Sequence, residues 1–205
     1  ISLPKGLEKL GKYAFSSAAL KSVAMPDYLT EIPEEAFSGC PLEEINLPQG
    51  LKYIGSGAFW SGKFSEVSIP NSVDSIGESA FRRCRLLEKV IMSDRIKKLP
   101  YGLFHGCKSL KSLSYQSSAN QSPSVNIPEG VESIGSYAFY GCSSISEVNI
   151  PSTVRQIDGN PFPWCEKLTD VHIDRRNSYY KTEDNVIFSI AGDTLVSFPA
   201  SRGGS

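Results

Sequence analysis

The sequence predicts an α/β-type solenoid: a right-handed stack of about seven repeats of 22–23 residues, with a parallel β-sheet, short helical or 3-10 turns and a C-terminal β-hairpin cap. Three recurring features predict it. An apolar residue followed by proline, an Ala-Phe pair, and a glycine after isoleucine or leucine all return in one register along the chain. Because one such unit cannot bury its apolar face alone, neighbouring units must stack on each other.

The Ala-Phe pair sets the period of the repeat. Phe15, Phe37, Phe59 and Phe81 follow one another at intervals of 22 residues, and the next three copies follow at 23, 35 and 23. The phenylalanines of those copies are Phe104, Phe139 and Phe162. A small and a large side chain pointing inward predict a short helical or 3-10 segment, too short for a free-standing helix.

Each repeat also contains a segment in which apolar and outward-facing residues alternate, which is typical of a strand with one buried face. The predicted strands are 20–25, 42–47, 64–69, 87–92, 110–115, 145–150 and 168–173. The proline that follows most of them has no N–H to donate and ends the ladder. The glycine after isoleucine further along, as in Ile54-Gly55, is free to adopt positive φ and predicts a second corner.

The combined pattern, IP-x-x-V-x-x-I-G-x-x-A-F-x-x-C-x-x-L-x-x-V, resembles the BspA-like leucine-rich repeats of bacterial surface proteins. The resemblance covers residues 1–174, which we expect to form the leucine-rich-repeat array, with 175–205 as capping hairpin and tail. It implies a cell-surface or secreted protein and a role in host adhesion or matrix-protein binding. Apolar residues at 186–188 and 195–198 flank a turn signal at 191–193, which predicts the hairpin.

One repeat carries an insertion at about 116–124, with the sequence QSSANQSPS. Its polar, serine-rich composition predicts a surface loop. Insertions in repeat arrays lie on one face and often serve binding, so a binding loop is the alternative. Asn120 begins an Asn-x-Ser pattern that matches a glycosylation acceptor.

Five cysteines each lie three residues after the phenylalanine of a repeat: Cys40, Cys84, Cys107, Cys142 and Cys165. We expect a buried column of thiols that act as small apolar side chains. The sequence has no Cys-x-x-Cys pair or histidine cluster, so neither a metal site nor a cofactor is expected. Disulfides between adjacent copies also fit the expected spacing. The cysteines therefore do not decide between an oxidising and a reducing compartment.

The overall composition excludes several classes of partner. The net charge of −1 argues against a nucleic-acid-binding protein. No apolar run approaches the ~18 residues that a membrane-spanning helix needs. The sequence begins inside a repeat, so the lack of a signal peptide does not bear on export. We expect a monomer.

Basic residues concentrate between positions 82 and 111. This stretch contains nine basic and two acidic residues, so its net charge is +7 and the rest of the chain carries −8. A solvated basic face is one interpretation. The other is a docking site for a polyanion such as a sulfated glycan or an acidic protein loop. The candidate residues are Arg82, Arg83, Arg85, Arg95, Lys97 and Lys98.

The sequence does not predict an enzyme. The two histidines, His105 and His172, occupy different positions of the repeat three copies apart, and no catalytic residues can be named. Outward strand residues instead tile an extended polar face, which is either a merely solvated surface or a recognition surface of the kind that solenoids use. The candidate partner-binding residues are Glu44, Asn46, Glu66, Ser68, Lys89, Ile91, Glu147, Asn149, Asp170 and His172.

The leading hypothesis is therefore a non-enzymatic module that binds a protein or glycan partner at the bacterial cell surface. Two alternatives stay open: polyanion binding through the basic residues at 82–111, and a structural spacer for another domain.

Overall fold

The computed structural model describes residues 1–118 and 123–198, which form fifteen β-strands and no helix. The strands are β1 (Glu31–Ile32), β2 (Tyr53–Ile54), β3 (Glu66–Ser68), β4 (Ser75–Ile76), β5 (Lys89–Met92), β6 (Lys98–Leu99), β7 (Ser112–Tyr115), β8 (Val125–Asn126), β9 (Ser133–Ile134), β10 (Glu147–Ile150), β11 (Gln156–Ile157), β12 (Asp170–Ile173), β13 (Tyr180–Glu183), β14 (Val186–Ser189) and β15 (Leu195–Ser197). Each coil of the solenoid passes through a main sheet, a second ladder of short strands and the turn that carries Ala-Phe.

The main sheet is parallel and has the strand order β12-β10-β8-β7-β5-β3. It confirms the strands predicted at 64–69, 87–92, 110–115, 145–150 and 168–173, with shorter bounds. The first two copies differ. The segment at 20–25 forms only the isolated bridge between Ser2 and Ala24, and 42–47 forms no strand. Leu42 and Leu47 are still buried, and single hydrogen bonds such as Glu43 N to Lys21 O join the coils in place of a continuous ladder.

A second ladder of two-residue strands lies where the sequence predicts only a corner. β1, β2 and β4 form one parallel sheet, and β6, β9 and β11 form another. The prediction of positive φ at the glycine after isoleucine is wrong for Gly55, whose N–H continues the ladder to Ile32 O at 2.7 Å. Glycine is required for another reason: a Cβ at Gly55 would lie 2.5 Å from Glu34 N in the preceding coil.

The Ala-Phe segments are successive turns, so the expected helical or 3-10 conformation is wrong. Phe139 N–H donates to Pro161 O of the next coil, whereas Tyr140 N–H donates to Tyr137 O within its own turn. Because alternate N–H groups bond to the neighbouring coil, no continuous helical ladder forms. Tyr137 and Gly141, which flank the segment, have φ of 59° and 65°, which a helix does not allow.

The seven phenylalanines of these turns form one continuous stacked column through the core. Successive ring centroids are 5.3–5.8 Å apart with interplanar angles of 28° or less. Offset-stacked aromatic pairs contribute about 0.5–1.5 kcal/mol each beyond the area that they bury. The column therefore fixes the register between coils as well as filling the core.

All five cysteines are free and buried, as the sequence predicts. Each thiol donates a hydrogen bond to the carbonyl oxygen of the phenylalanine one coil earlier. The Sγ–O distances are 2.9 Å for Cys40 to Phe15 and 3.1 Å for Cys84 to Phe59, Cys107 to Phe81, Cys142 to Phe104 and Cys165 to Phe139. Burial raises the pKa of the Cys84 and Cys165 thiols to about 12. The thiols thus satisfy backbone carbonyls in a dry core.

The last coil is covered by a three-stranded antiparallel sheet, β13-β14-β15. The predicted hairpin corresponds to β14 and β15, and the sequence analysis missed β13. Two side chains of this cap satisfy N–H groups at the edge of the array: Tyr180 Oη accepts from Ile157 N, and Asn185 Oδ1 accepts from Val171 N. The buried Asn177 amide donates to Pro151 O and Val154 O, which ties the cap to the final coil.

The insertion adds a strand to the main sheet alone. The chain leaves β7 at Tyr115 and returns as β8, which pairs with β7 on one side and β10 on the other. On the other two sides of the coil nothing is added, because β6 pairs directly with β9 and Phe104 stacks directly on Phe139. The glycosylation pattern at Asn120 lies outside the described residues.

Candidate binding face

The outward side of the main sheet is polar because burial alternates along its strands. Val67, Val90 and Val148 point into the core, while their neighbours in β3, β5 and β10 face outward. Parallel pairing aligns the outward residues in rows. The rows are Glu66 with Lys89 and Ser112, Ser68 with Ile91 and Ser114, Glu147 with Asp170, and Asn149 with His172. Ser114 departs from the pattern, since it is only 4% exposed.

The face is acidic. Of the ten predicted partner-binding residues, Glu44, Glu66, Glu147 and Asp170 carry negative charge and only Lys89 carries positive charge, which gives a net −3 with His172 neutral. Glu147 and Asp170 lie directly opposite each other in register. Two like charges in such a position repel unless a counter-charge comes between them. The face therefore favours basic and polar groups on a partner.

Two depressions mark this face. The first has a volume of about 200 Å³ and brings together half of the predicted set. It is lined by Ile45, Asn46, Glu66, Val67, Ser68, Lys89 and Ile91. Glu44 lies outside it and lines a neighbouring hollow with Asn46 and the first coil.

The second depression, of about 440 Å³, lies where β8 widens the sheet. Its lining includes Asn149 and His172, which the sequence predicts, together with Tyr115 and Asn126, which it does not. Asn149 Nδ2 donates to Asn126 Oδ1 at 3.0 Å and to Glu147 Oε1 at 2.8 Å. These bonds fix the amide orientation, so the depression presents a preorganised polar floor.

The rim of the second depression is charged. Hydrogen bonds from Arg176 hold the pKa of the Asp174 carboxyl at about 2, so this group is a carboxylate at neutral pH. Glu129 and Arg175 also line the depression. Asn126 could have been found from the sequence, because Val-Asn-Ile-Pro at 125–128 repeats Val-Asn-Ile-Pro at 148–151. Nothing in the repeat pattern singles out Glu129 or Arg175.

The first residue of the insertion and the residue before it reach the two depressions. Tyr115 lines the second, while Gln116 Nε2 donates to Ser68 Oγ at 3.0 Å and to Ile69 O at 3.1 Å beside the first. Seven of the ten predicted residues therefore line two separate depressions on one face, while Glu44, Glu147 and Asp170 lie outside both.

The family described as "BspA type Leucine rich repeat region" matches residues 1–111 and 114–191, with six copies. The chain belongs to this family. Leucine-rich repeats present extended binding surfaces, and membership in this family suggests an interaction or binding module. No curated protein matches the chain.

Solved structures of bacterial leucine-rich-repeat proteins share the fold of this BspA-type array. A protein from Bacteroides ovatus is 26% identical over 84% of this chain and 60% of its own, with a TM-score of 0.56. The T. pallidum leucine-rich-repeat protein is 28% identical over 71% of this chain and 77% of its own, with a TM-score of 0.56. A leucine-rich-repeat protein from Eubacterium ventriosum is 25% identical over 69% of this chain and 40% of its own, with a TM-score of 0.56. The chain thus spans 60% and 40% of the Bacteroides and Eubacterium proteins.

The basic residues of the BspA-type array do not form a single cluster. Arg82, Arg83 and Arg85 precede β5, whereas Arg95, Lys97 and Lys98 follow it, so the two groups lie at opposite ends of that strand. Lys97 Nζ is 3.9 Å from a Glu132 carboxylate oxygen, and Arg155 binds the same carboxylate. The second group is therefore partly neutralised.

Catalytic and metal-binding groups do not converge in the part of the chain that the structure describes. His105 stacks on Tyr140 in the Ala-Phe turns, whereas His172 lies in β12 of the main sheet. Within 1–118 and 123–198, no group of three or more His, Cys, Asp or Glu is arranged to hold a metal ion. The same ranges contain no helix that is long and apolar enough to cross a membrane.

Proposed function

We propose that this array is the protein-binding part of a bacterial surface or secreted protein, and that the outward face of its main sheet is the binding surface. One observation supports this proposal most directly: outward polar residues aligned in register, with a net charge of −3 over the ten named positions. A partner segment with basic and hydrogen-bonding side chains complements such a face. Adhesion is the biological role that the resemblance to surface proteins implies.

Both depressions contribute to the proposed surface. The first offers Glu66 and Asn46 around Ile91, a small apolar contact within a polar rim. The second offers the fixed Asn126–Asn149 amide pair beside His172. Fixed polar groups give specificity because a partner that fails to pair with them leaves them desolvated and unsatisfied.

The test is a binding panel of matrix proteins and of sulfated and neutral glycans, measured at low and high salt. Two double variants probe the face: Glu66→Ala with Asn46→Ala, and Asn149→Ala with His172→Ala. Lys52→Ala with Gln156→Ala, exposed residues beside and in the second ladder, is the matched control. We expect a protein ligand whose affinity falls about tenfold or more in at least one face variant, as loss of interface hot spots does, and is unchanged in the control.

Other outcomes would support the alternatives. Exposed charge contacts are screened over about 10 Å at 0.1 M salt, so a glycan that is released by salt and by Lys97→Glu with Lys98→Glu would favour polyanion binding. No ligand in the panel would favour the spacer. A protein ligand that tolerates both face variants would contradict the proposed surface.

A further inference from the structure

A second surface, on the Ala-Phe turns, carries a column of aromatic and basic side chains. Trp60, Arg82, His105 and Tyr140 each follow directly after the stacked phenylalanine of their coil. The Arg82 guanidinium carbon is 5.0 Å from the centre of the Trp60 ring, and the His105 and Tyr140 rings stack at 4.4 Å. We call these four residues the aromatic–arginine column. The same position holds Ser16, Ser38 and Pro163 in the other coils.

Two exposed tyrosines extend the column. Tyr137 is 5.8 Å from Tyr140 and Tyr101 is 5.7 Å from Tyr137, both edge-to-face. Tyr101 and Tyr137 are 40% and 41% exposed. Tryptophan, tyrosine and arginine are the residues that most often dominate the energy of protein interfaces. Gathered on one surface outside the core, they have the composition that is typical of an interaction site.

A concave site with a basic lining is formed by residues that adjoin the column in the chain, since Ser61 follows Trp60 and Arg83 follows Arg82. The cavity has a volume of about 410 Å³ and is lined by Ser61, Gly62, Lys63, Arg83, Arg85 and Leu86. Leu86 is 53% exposed, so the cavity combines positive charge with an apolar contact. Arg83 adopts φ of 58°, a conformation that glycine adopts at the same position in the next two coils, at Gly106 and Gly141.

The arginines of this surface are not neutralised by the protein itself. Within the described ranges, Arg82, Arg83 and Arg85 form no ion pair, and Arg82 Nε and His105 Nδ1 are buried without a hydrogen-bond partner. By contrast, Lys97, beyond the other end of β5, shares Glu132 with Arg155 of a later coil. A guanidinium pairs most strongly with a carboxylate in a bidentate geometry. Charge complementarity therefore selects an acidic partner.

We propose that the aromatic–arginine column and the adjacent cavity dock an acidic segment of another protein in which carboxylates alternate with apolar side chains. The carboxylates pair with Arg83 and Arg85, and the apolar side chains cover Leu86 and the exposed tyrosine edges. A sulfated glycan would pair with the arginines but leave Leu86 exposed, so the mixed surface favours a peptide. This surface is separate from the main sheet. Its proposed partner segment is acidic, whereas the partner proposed for the main-sheet face is basic.

The probes are short labelled peptides of equal charge in which Glu alternates with Leu or with Ser, together with heparin. Binding to the full chain is measured by fluorescence anisotropy. We expect the Glu-Leu peptide to bind about tenfold tighter than the Glu-Ser peptide, because its leucines bury apolar surface that serine lacks. Arg83→Glu with Arg85→Glu should weaken binding at least about tenfold, and Trp60→Ser should weaken it severalfold.

The matched control is Arg95→Glu with Lys98→Glu, which makes the same change in net charge at the other end of β5. It should leave the affinity for the Glu-Leu peptide within about twofold, since exposed charges more than about 10 Å away are screened at 0.1 M salt. Urea unfolding of every variant checks that the fold is intact. Trp60→Ser places at this position the residue that two earlier coils carry, so it tests the column even if the charge reversals misfold.

Three results would overturn the proposal: no binding of the Glu-Leu peptide, equal weakening by both pairs of charge reversals, or binding of heparin alone. The last would assign the arginines to a sulfated glycan. Because the main-sheet variants leave this surface intact, failure of one surface is distinguishable from failure of the other.

Discussion

Phe64 fills the space above Gly62: a Cβ at Gly62 would lie 2.4 Å from Cε1 of the Phe64 ring. The position of Gly62 holds cysteine in five copies, and the position of Phe64 holds leucine or isoleucine in the other copies. The Phe64 ring packs edge-on against Phe59 and Phe81, at 6.2 and 6.4 Å. In this coil a large side chain has thus replaced the thiol and the leucine together.

This exchange predicts energetic coupling between the two positions. Gly62→Cys alone should destabilise the fold by about 1–3 kcal/mol, because the thiol collides with a ring that cannot leave the core. Phe64→Leu alone should cost about 1 kcal/mol or more through the cavity that it leaves. The double variant restores the pattern of the other coils, so its cost should be at least about 1 kcal/mol smaller than the sum. Urea unfolding of the four proteins gives the coupling, and strict additivity would refute it.

The glycines that follow isoleucine or leucine in several repeats predict different effects of alanine on stability. A Cβ at Gly77 would lie 2.3 Å from Ser56 N, whereas a Cβ at Gly11 would meet nothing within 4 Å. Gly77→Ala should therefore destabilise by about 2 kcal/mol or more, because backbone of the preceding coil must move. Gly11→Ala, the matched control, should stay within about 0.5 kcal/mol of the parent protein. Equal stabilities of the two variants would show that the coils separate without cost at this ladder.

The phenylalanine column predicts a large effect of a single truncation. Phe59 is fully buried and stacks between Phe37 and Phe81 at 5.7 and 5.6 Å. Phe59→Ala should lower the free energy of unfolding by about 3–5 kcal/mol. Thermal or urea unfolding of the variant measures the loss. A cost below about 1 kcal/mol would mean that the column does not hold the coils together.

The buried thiols predict a loss of stability in base. The pKa of Cys84 is raised to about 12 by burial, whereas an unfolded thiol titrates near ~8.5. A raised folded-state pKa gives stability that is complete below the unfolded pKa and is lost as pH rises through the folded pKa. Between about pH 9 and 12 this thiol should therefore lower the free energy of unfolding by up to ~1.4 kcal/mol per pH unit.

Tyrosines and lysines titrate in the same range, so the informative quantity is the difference between the parent protein and Cys84→Ala. Alanine and glycine occur at the same position in two other copies, as Ala18 and Gly62, which makes this a mild substitution. Stability of the variant should fall less steeply with pH above about 9 than that of the parent. Parallel pH profiles would contradict the assignment of Cys84 as a buried neutral thiol.

The sequence predicted the main sheet because its strands are long enough to show alternation, as in Val148-Asn149-Ile150. The second ladder was missed because a two-residue strand such as Tyr53–Ile54 is too short to show a period. The Ala-Phe turns were misassigned because Tyr137 and Trp164 adopt left-handed φ although they are not glycine. Glycine occupies the equivalent positions in only some coils, at Gly57 and Gly102 and at Gly39, Gly106 and Gly141, so the preference is irregular along the chain.

The candidate site was predictable to a similar extent. Asn149 and His172 follow from their place in the repeat, and the repeated phrase Val-Asn-Ile-Pro contains Asn126 as well. Arg175 lies after the last strand of the array, where the period stops and position in the repeat no longer predicts neighbours. The aromatic–arginine column combines residues of different types from four coils. It became visible only when their stacking was known.

The strand β8 makes the two sides of the array unequal in length. Two strands of one coil occupy the main sheet, while the phenylalanine column advances by a single step at the same level. One extra strand lengthens the sheet side by about 4.8 Å relative to the phenylalanine column. We expect the two halves of the array to lean apart on the sheet side as a result. A rigid straight rod could not lie flat on both halves, whereas a bent or flexible chain could follow them around the corner.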